Sequence, residues 1–459
     1  MSKTRCLAAL SLLLTLPMIA GPSDAAQQPA SDERFTMALV GDAIITQRLS
    51  PYKEPEFLSM LSLIRNADAA FANFEMLLHD FEGYPNAQSG GTWMRGDRTM
   101  AQELAWAGFH LVSRANNHTG DYSPESMRTT SRYLDEAGIV WAGVGENLQQ
   151  ACEPHYLETA KARVALIACA STFPIHAMAG PQRSDVGGRP GLNPLRFTTR
   201  YVVSQTALGQ IRSVAAGLKL PIKDQKDGFS FLGNLFVAGD HFEIEQRPLE
   251  SDLKEILASI RDAKVFSDYV VVAVHAHEFD RDRTIPAQFL PIFAHAAIDA
   301  GADVIVGSGP HVLRGIEIYK DKPIFYSLGN FIFQNDTVLR LPQEGYDQFD
   351  LGSEARMGEY FARRYNNDKS SFPADPPIWE SIIALPTFRG GKVVELKLYP
   401  ITLGYGKPAG RRGRPLPADE ALSKKILDDL ARISQPLATK INNEKGVGVV
   451  ELKPSRNTP

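Results

Sequence analysis

Cysteine is scarce here, three residues in 459, which excludes a disulfide scaffold. Beyond the N-terminal stretch no run reaches 18 uninterrupted apolar residues, so no transmembrane helix is expected in the mature chain. A positive excess is missing too. Lys and Arg number 49 against 53 Asp and Glu, a net −4, and nothing in that balance points to nucleic acid. Also absent are a Gly-x-Ser-x-Gly elbow, a Walker loop and a paired Cys-x-x-Cys, so those chemistries drop out. What remains is ordinary: 44% hydrophobic and 22% charged residues, a globular composition. The length suits one large elaborated domain or two of about 150 residues.

The first 25 residues read as an export signal. Lys3 and Arg5 precede the apolar stretch Leu7 to Ala20, and Ser23-Asp24-Ala25 offers small residues for cleavage near Ala25. This is the pattern of a cleavable signal peptide; an uncleaved anchor is the alternative. Cleavage removes Lys3, Arg5 and Asp24, a net +1, and leaves −5. The mature protein is then expected to be periplasmic or secreted. Cys152 and Cys169 are its remaining thiols, and either a disulfide or two buried thiols fits an oxidising compartment.

From Phe35 onward short apolar runs alternate with helical stretches, the mark of an α/β sheet. Strands are expected at Thr36–Val40, Ala69–Ala72, Leu111–Ser113, Val140–Ala142, Val164–Ala168, Tyr269–Val274, Asp303–Val306 and Ile324–Leu328. Their continuous apolar character suits strands covered on both faces. Helices are expected at Pro55–Arg65, Met100–Ala107, Ser123–Ala137, Leu253–Asp262 and Pro286–Ala300. Three end in Ala-Gly, at Gly108, Gly138 and Gly301, the residue type favoured just past a helix. His118 and His311 each fall ten residues after such a glycine, which suggests duplication or merely a standard helix–strand–loop length. Residues 172–250 break the alternation and read as an insertion. Residues 334–380 are polar and read as a long lid-like loop. Val393–Tyr399 resumes as a strand, and 406–459 reads as a C-terminal extension with a helix at Pro417–Ser434 and a last strand at Gly446–Leu452.

The chemistry-bearing residues follow the apolar runs directly: Gly41-Asp42, Asn73-Phe74-Glu75, Asn116-Asn117-His118, His275-Ala276-His277-Glu278 and Gly309-Pro310-His311. Ligands of open α/β sheets bind beyond the carboxyl ends of the strands. Imidazole, carboxylate and amide oxygen suit Zn, Mn or Fe. A carboxylate can bridge two such ions, and a bound metal brings water's pKa toward ~7, making hydroxide available at neutral pH.

Together with Tyr326-Ser327-Leu328-Gly329-Asn330-Phe331, these motifs resemble the CapA family of bacterial capsule (poly-γ-glutamate) synthesis proteins, itself similar to calcineurin-like metallophosphoesterases. The likeness runs from about Phe35 to Phe333, densest from Gly301 onward. It implies a four-layer αββα sandwich, a site for one or two divalent ions, and a role in making, exporting or anchoring poly-γ-glutamate. Carried over by residue, it makes Asp42, Glu75, Asn117, His118, His275 and His311 metal ligands or close neighbours. His275, His277 and Glu278 become the proton-handling candidates. Two positions depart from the phosphoesterase pattern: Ile44 and Gly309 stand where histidines are expected, so Glu75 and His277 must compensate or one metal position is weak.

Other polar residues divide less clearly. Asp121 can orient a liganding histidine or cap the helix after Ser123. Arg95, Arg114 and Arg189 can bind an anionic substrate or form surface ion pairs. Lys407, Arg411, Arg412 and Arg414 sit in a Gly/Pro-rich stretch expected to be a solvated loop, with contact to a polyanion as the alternative. Two functional classes follow. One is an exported metallohydrolase using metal-bound hydroxide on an anionic polymer, with phosphoesterase or peptide-epimerase variants. The other is a non-catalytic polymer-binding module with a degenerate site. Either can work beside a membrane-bound synthesis complex.

Overall fold

The computed structural model describes residues 33–452; the expected signal peptide lies outside them. Phe35–Ile44 is the organising strand. Ala69–Phe74, Leu111–Ser113 and Val140–Ala142 run parallel to it in turn on one side. On its other side Glu380–Arg389 runs antiparallel to it and Lys392–Thr402 antiparallel to that strand in turn, and Asn330–Phe333 pairs its C-terminal end in parallel. A second sheet of six strands holds Arg163–Ala170, Tyr269–His275, Val304–Ser308 and Lys322–Phe325 as neighbouring parallel strands, with His155–Glu158 and Ile316–Tyr319 at its edges.

Strand periodicity makes the layers. Leu39, Phe71, Leu166, Val271 and Val304 share one core with Phe325 and Leu398, the side chains facing between the two sheets. The alternate residues Val40, Ala70, Ala72 and Val112 pack outward on helices Pro55–Arg65 and Thr99–Ala107. Ile167, Val270, Val272 and Ile305 pack outward on helices Glu250–Phe266 and Phe289–Ala300. The fold is therefore a four-layer αββα sandwich of the metallophosphoesterase type. Gly108, Gly138 and Gly301 do sit at positive φ past their helices, each turning the chain into the next strand.

Three regions carry detail beyond the expected outline. Residues 197–248 build a five-stranded sheet of their own, with a small core around Phe229 and Leu208. The stretch after 406 joins the first sheet: Ile441–Glu444 and Val447–Val450 extend its edge, and helix Glu420–Ser434 puts Ile426, Leu427 and Leu430 into the inter-sheet core. The strand expected at Ile324–Leu328 ends at Phe325, because the chain there crosses between sheets. The motif after it serves that crossing. Ser327 Oγ donates to the Val312 carbonyl at 2.7 Å and accepts from Gly329 N–H at 3.1 Å. Gly329 turns at φ +67. Its carbonyl takes the Asp42 N–H at 2.9 Å, so close to the neighbouring strand that a Cβ on Gly41 would lie 1.8 Å from it.

Both thiols are free and buried, so no disulfide links Cys152 to Cys169. Burial raises the Cys152 thiol to about 12, which removes its nucleophilic form at neutral pH. Among the described residues no helix is long and apolar enough to cross a membrane.

Candidate metal centre

The carboxyl ends of the central strands of both sheets meet at one place. Asp42 lies in the Phe35 strand beside a register shift and opposite Asn73. Glu75 follows Phe74, and Asn117 and His118 follow Ser113 in a short 3-10 turn. His275 ends its strand opposite Ser308. His311 comes three residues after Ser308 in a left-handed backbone conformation, φ +59. That conformation is strained for a non-glycine residue and is characteristic of functional sites.

Glu75 is the hub. It is fully buried, and its Oε1 lies 3.9 Å from His118 Nε2, 3.7 Å from His275 Nε2 and 3.7 Å from His311 Nε2. These separations are too long for hydrogen bonds. Two atoms each about 2.1 Å from an ion at the tetrahedral angle stand roughly 3.4 Å apart, so the spacing is close to that of ligands around a cation. Two sets of converging groups share this carboxylate: Glu75 with His275 and His277, and Glu75 with Asp42 and His311.

The surrounding hydrogen bonds aim those atoms inward. His118 Nδ1 sits 2.6 Å from Asp121 Oδ2. Asp121 is itself fixed by N–H donors from Met94 at 2.6 Å and Gly90 at 2.8 Å. Asp121 therefore orients the histidine, leaving Nε2 to face Glu75. His311 Nδ1 lies 2.9 Å from Asn330 Oδ1, and Asn330 is tied to the His311 and Ile378 carbonyls. Asp42 accepts from Asn73 Nδ2 at 2.8 Å and from Gly309 N–H at 3.2 Å. Asn116 is structural: its Oδ1 caps the turn at His118 N–H and its Nδ2 donates to the Phe74 carbonyl.

The donor set fits a divalent cation. Glu75 Oε1 and Oε2, Asn73 Oδ1 and Asn117 Oδ1 are buried acceptors with no donor, and each such orphan costs about 1–3 kcal/mol or more when charged. Burial, reinforced by the Asp42 and Asp121 charges, holds the Glu75 carboxyl well above the usual range. Burial holds the imidazoles of His275 and His277 well below theirs. His275 and His277 are thus neutral at pH 7 with lone pairs to offer, and a cation relieves the crowding of acceptors around Glu75.

Residues 36–335 match the family described as Bacterial capsule synthesis protein PGA_cap. The chain belongs to that family. Over 434 residues it is 38% identical to the uncharacterized protein y4sH of Sinorhizobium fredii, covering 91% of this chain and 93% of that one. It is 27% identical over 309 residues to the capsule biosynthesis protein CapA of Bacillus anthracis, 66% of this chain and 60% of the relative. The PGA biosynthesis protein CapA of Bacillus subtilis is 42% identical over 106 residues, 22% of this chain and 27% of its own. Among solved structures, the NAD nucleotidase of Haemophilus influenzae covers 87% of this chain and 56% of its own at 9% identity and a TM-score of 0.29, too slight a likeness to argue from.

For this PGA_cap member the structure brings together Asp42, Glu75, Asn117, His118, His275, His277 and His311. It does not bring Glu278, whose Oε2 is taken by the Ser171 hydroxyl at 2.7 Å. Arg114 is buried away from the site: Ser131 and the Met127 carbonyl accept its N–H groups, and desolvation lowers its pKa to about 9. Arg95 reaches the His79 carbonyl and Asp80, and Arg189 the Met178 carbonyl. None of the three lines the cavity over the site. Arg412, expected in a solvated loop, is buried against Asp336 and Asp368, and Arg414 pairs with Glu54.

That cavity, of about 660 Å³, is lined by Asn117, His118, His277 and His311 on one part and by Asn335, Arg364, Ser371, Phe372 and Asp375 on another. The 334–380 stretch thus forms part of the wall of this cavity. The sequence reading missed Asn73 and Asn330 as positioning residues, and Arg283 and Arg364 as the cavity's arginines. The amides lay inside quoted motifs, beside ligand candidates. The arginines carried no local signal, because only the tertiary fold brings them over the strand ends.

Proposed function

We propose that this chain is an exported metal-dependent hydrolase of capsule biosynthesis, acting on poly-γ-glutamate or a similar amide-linked anionic polymer beside the synthesis complex. The observation that carries the reading is Glu75: a buried carboxylate with no donor, ringed by three imidazole Nε2 atoms at 3.7–3.9 Å. The names of its relatives, capsule and PGA biosynthesis proteins, support the polymer. Asp42, Glu75, His275, His277 and His311 hold one or two ions of Zn, Mn or Fe, with His118 and the Asn117 amide oxygen beside them. Bound there, such an ion polarises an acyl oxygen and lowers the pKa of water toward ~7.

The chain's own groups do the rest. Asp121 and Asn330 hold His118 and His311 in one ring orientation. His275 Nε2 and His277 Nε2, 3.0 Å apart, share a hydrogen bond in which one ring donates and the other accepts. With only the Asp42, Glu75 and His311 position filled, His277 is not a ligand and faces the cavity, so its ring is placed to take a proton from the attacking side and return it to the leaving amine.

Elemental analysis of the purified protein, prepared without chelator, tests this against His118→Ala and Asp42→Asn. One or two equivalents of metal are expected in the wild type and a clear loss in both variants; metal near zero in the wild type sinks the reading. Release of glutamate oligomers from the polymer, rather than phosphate from esters, is the expected activity. Ile44 favours one competing reading. It puts an apolar side chain on the cavity wall where a ligand is expected, as a binding module with a weakened site would have it. Metal loading without turnover of any polymer or ester is the outcome that selects that reading.

A further inference from the structure

The cavity's charged groups are not equally engaged. Arg283 is neutralised by Asp375, which faces it with both carboxylate oxygens. Arg364 has no carboxylate partner among the described residues. Its Nη1 donates to the Tyr360 hydroxyl at 2.6 Å, and its guanidinium lies over the rings of Tyr360 and Tyr365 at 5.9 and 5.6 Å. It is therefore a held, half-buried cation lining the same cavity as His118, His277 and His311, with most of its N–H fork unused. Arg presents a planar fork that matches a carboxylate bidentately. Ser371 and Thr92 add hydroxyls to the wall of the same cavity.

We propose that Arg364 is the specificity-determining residue of this site, binding a free carboxylate of the substrate. A γ-amide linkage leaves the α-carboxylate free on every residue of the chain, so a polymer joined in that way offers such a group at each repeat. An α-linked polyglutamate also carries one carboxylate per residue, but on a two-carbon side arm instead of directly on the backbone carbon. Arg364 thus selects a polymer whose charge lies close to the scissile amide. This inference rests on the polymer-hydrolase reading above.

Calorimetric titration of the metal-loaded full chain with a synthetic γ-linked glutamate pentamer tests it. The same pentamer with its α-carboxylates amidated, and an α-linked pentamer, serve as the comparison probes. Loss of a charge-assisted contact predicts binding about 10- to 100-fold weaker in Arg364→Gln for the acid γ-pentamer. Arg364→Lys should keep part of the affinity. The amidated pentamer should bind both forms equally, with metal content and melting temperature unchanged. Equal binding of the acid γ-pentamer by wild type and Arg364→Gln overturns the assignment and leaves the hydrolase reading standing. So does wild-type binding of the α-linked pentamer as tight as the γ-linked one. Failure of the fully metal-loaded wild type to bind the γ-pentamer overturns the polymer reading, and the role of Arg364 falls with it.

Discussion

His277 fills the space beside Gly309: a Cβ built on that glycine lies 3.0 Å from His277 Cδ2, and the backbone there has φ +110. The phosphoesterase pattern would place an imidazole at position 309. Here the neighbouring strand supplies one instead, from the loop after His275. On the proposed reading His277 compensates for the departure at 309, its ring coming from a different strand end into the space a side chain at 309 would enter. No such substitute stands at Ile44.

His277→Ala should therefore cost one metal position and spare the other. The set formed by Glu75, His275 and His277 loses a ligand, while Asp42, Glu75 and His311 remain. The expected outcome is a fall in bound metal of about one equivalent by elemental analysis, with His311→Ala removing the other. Identical, complete loss in both variants would show a single shared ion.

Asp121→Asn should weaken metal binding about 10- to 100-fold without unfolding the protein. The substitution keeps an acceptor for one of the Met94 and Gly90 N–H groups and removes the charge that fixes the His118 ring at 2.6 Å. A competition titration against a chromophoric chelator measures the change. Affinity equal to wild type would reduce Asp121 to a loop fastener.

The pH dependence of the metal-free protein isolates Glu75. Its folded pKa is raised by burial and by Asp42 and Asp121, so the native state holds a proton that the unfolded chain releases above about 4.5. The stabilising contribution of Glu75 is complete below that pH and is lost as pH rises toward the folded pKa. His275 and His277, with lowered pKa values, act in the opposite sense up to about pH 6.5, where the unfolded imidazoles become neutral. The stability difference between wild type and Glu75→Gln removes their contribution. Denaturant unfolding with chelator present should show it falling steadily from pH 4.5 upward. Metal added at pH 7 should stabilise the wild type and leave Glu75→Gln unmoved.

Much of the site was readable because parallel strands buried on both faces are nearly continuous apolar runs. Tyr269 to Val274 can be little else, and the polar residue that follows such a run must lie at the sheet's edge. The five-stranded sheet at 197–248 was not readable for the complementary reason. Strands such as Lys223–Gln225 and Glu243–Pro248 are exposed and charged, with no apolar period to betray them. Arginines were the least legible. Arg114 follows a strand as the ligands do, yet its stem and fork turn into the layer beneath Trp141. Arg364 sits in a polar helix whose position over the site depends on contacts far away in sequence.

One such long-range contact is testable. Arg412 donates to Asp336 Oδ2 at 2.6 Å and to both oxygens of Asp368 at 2.8 and 3.0 Å, fastening two points of the 334–380 stretch to the strand-bearing C-terminal segment. Asp336 is largely buried, and desolvation raises its pKa despite the arginine. Removing one partner of a buried pair leaves an uncompensated charge, at a cost of about 3–5 kcal/mol. Arg412→Ala should lower unfolding stability by about that amount, whereas adding Asp336→Asn should recover part of it, because the neutral amide needs no cation. Single variants whose costs simply add in the double mutant would show that the pair is not coupled. Proteolysis between residues 340 and 375 should quicken in Arg412→Ala before global unfolding, since that stretch loses its fastening while the four layers beneath it keep theirs.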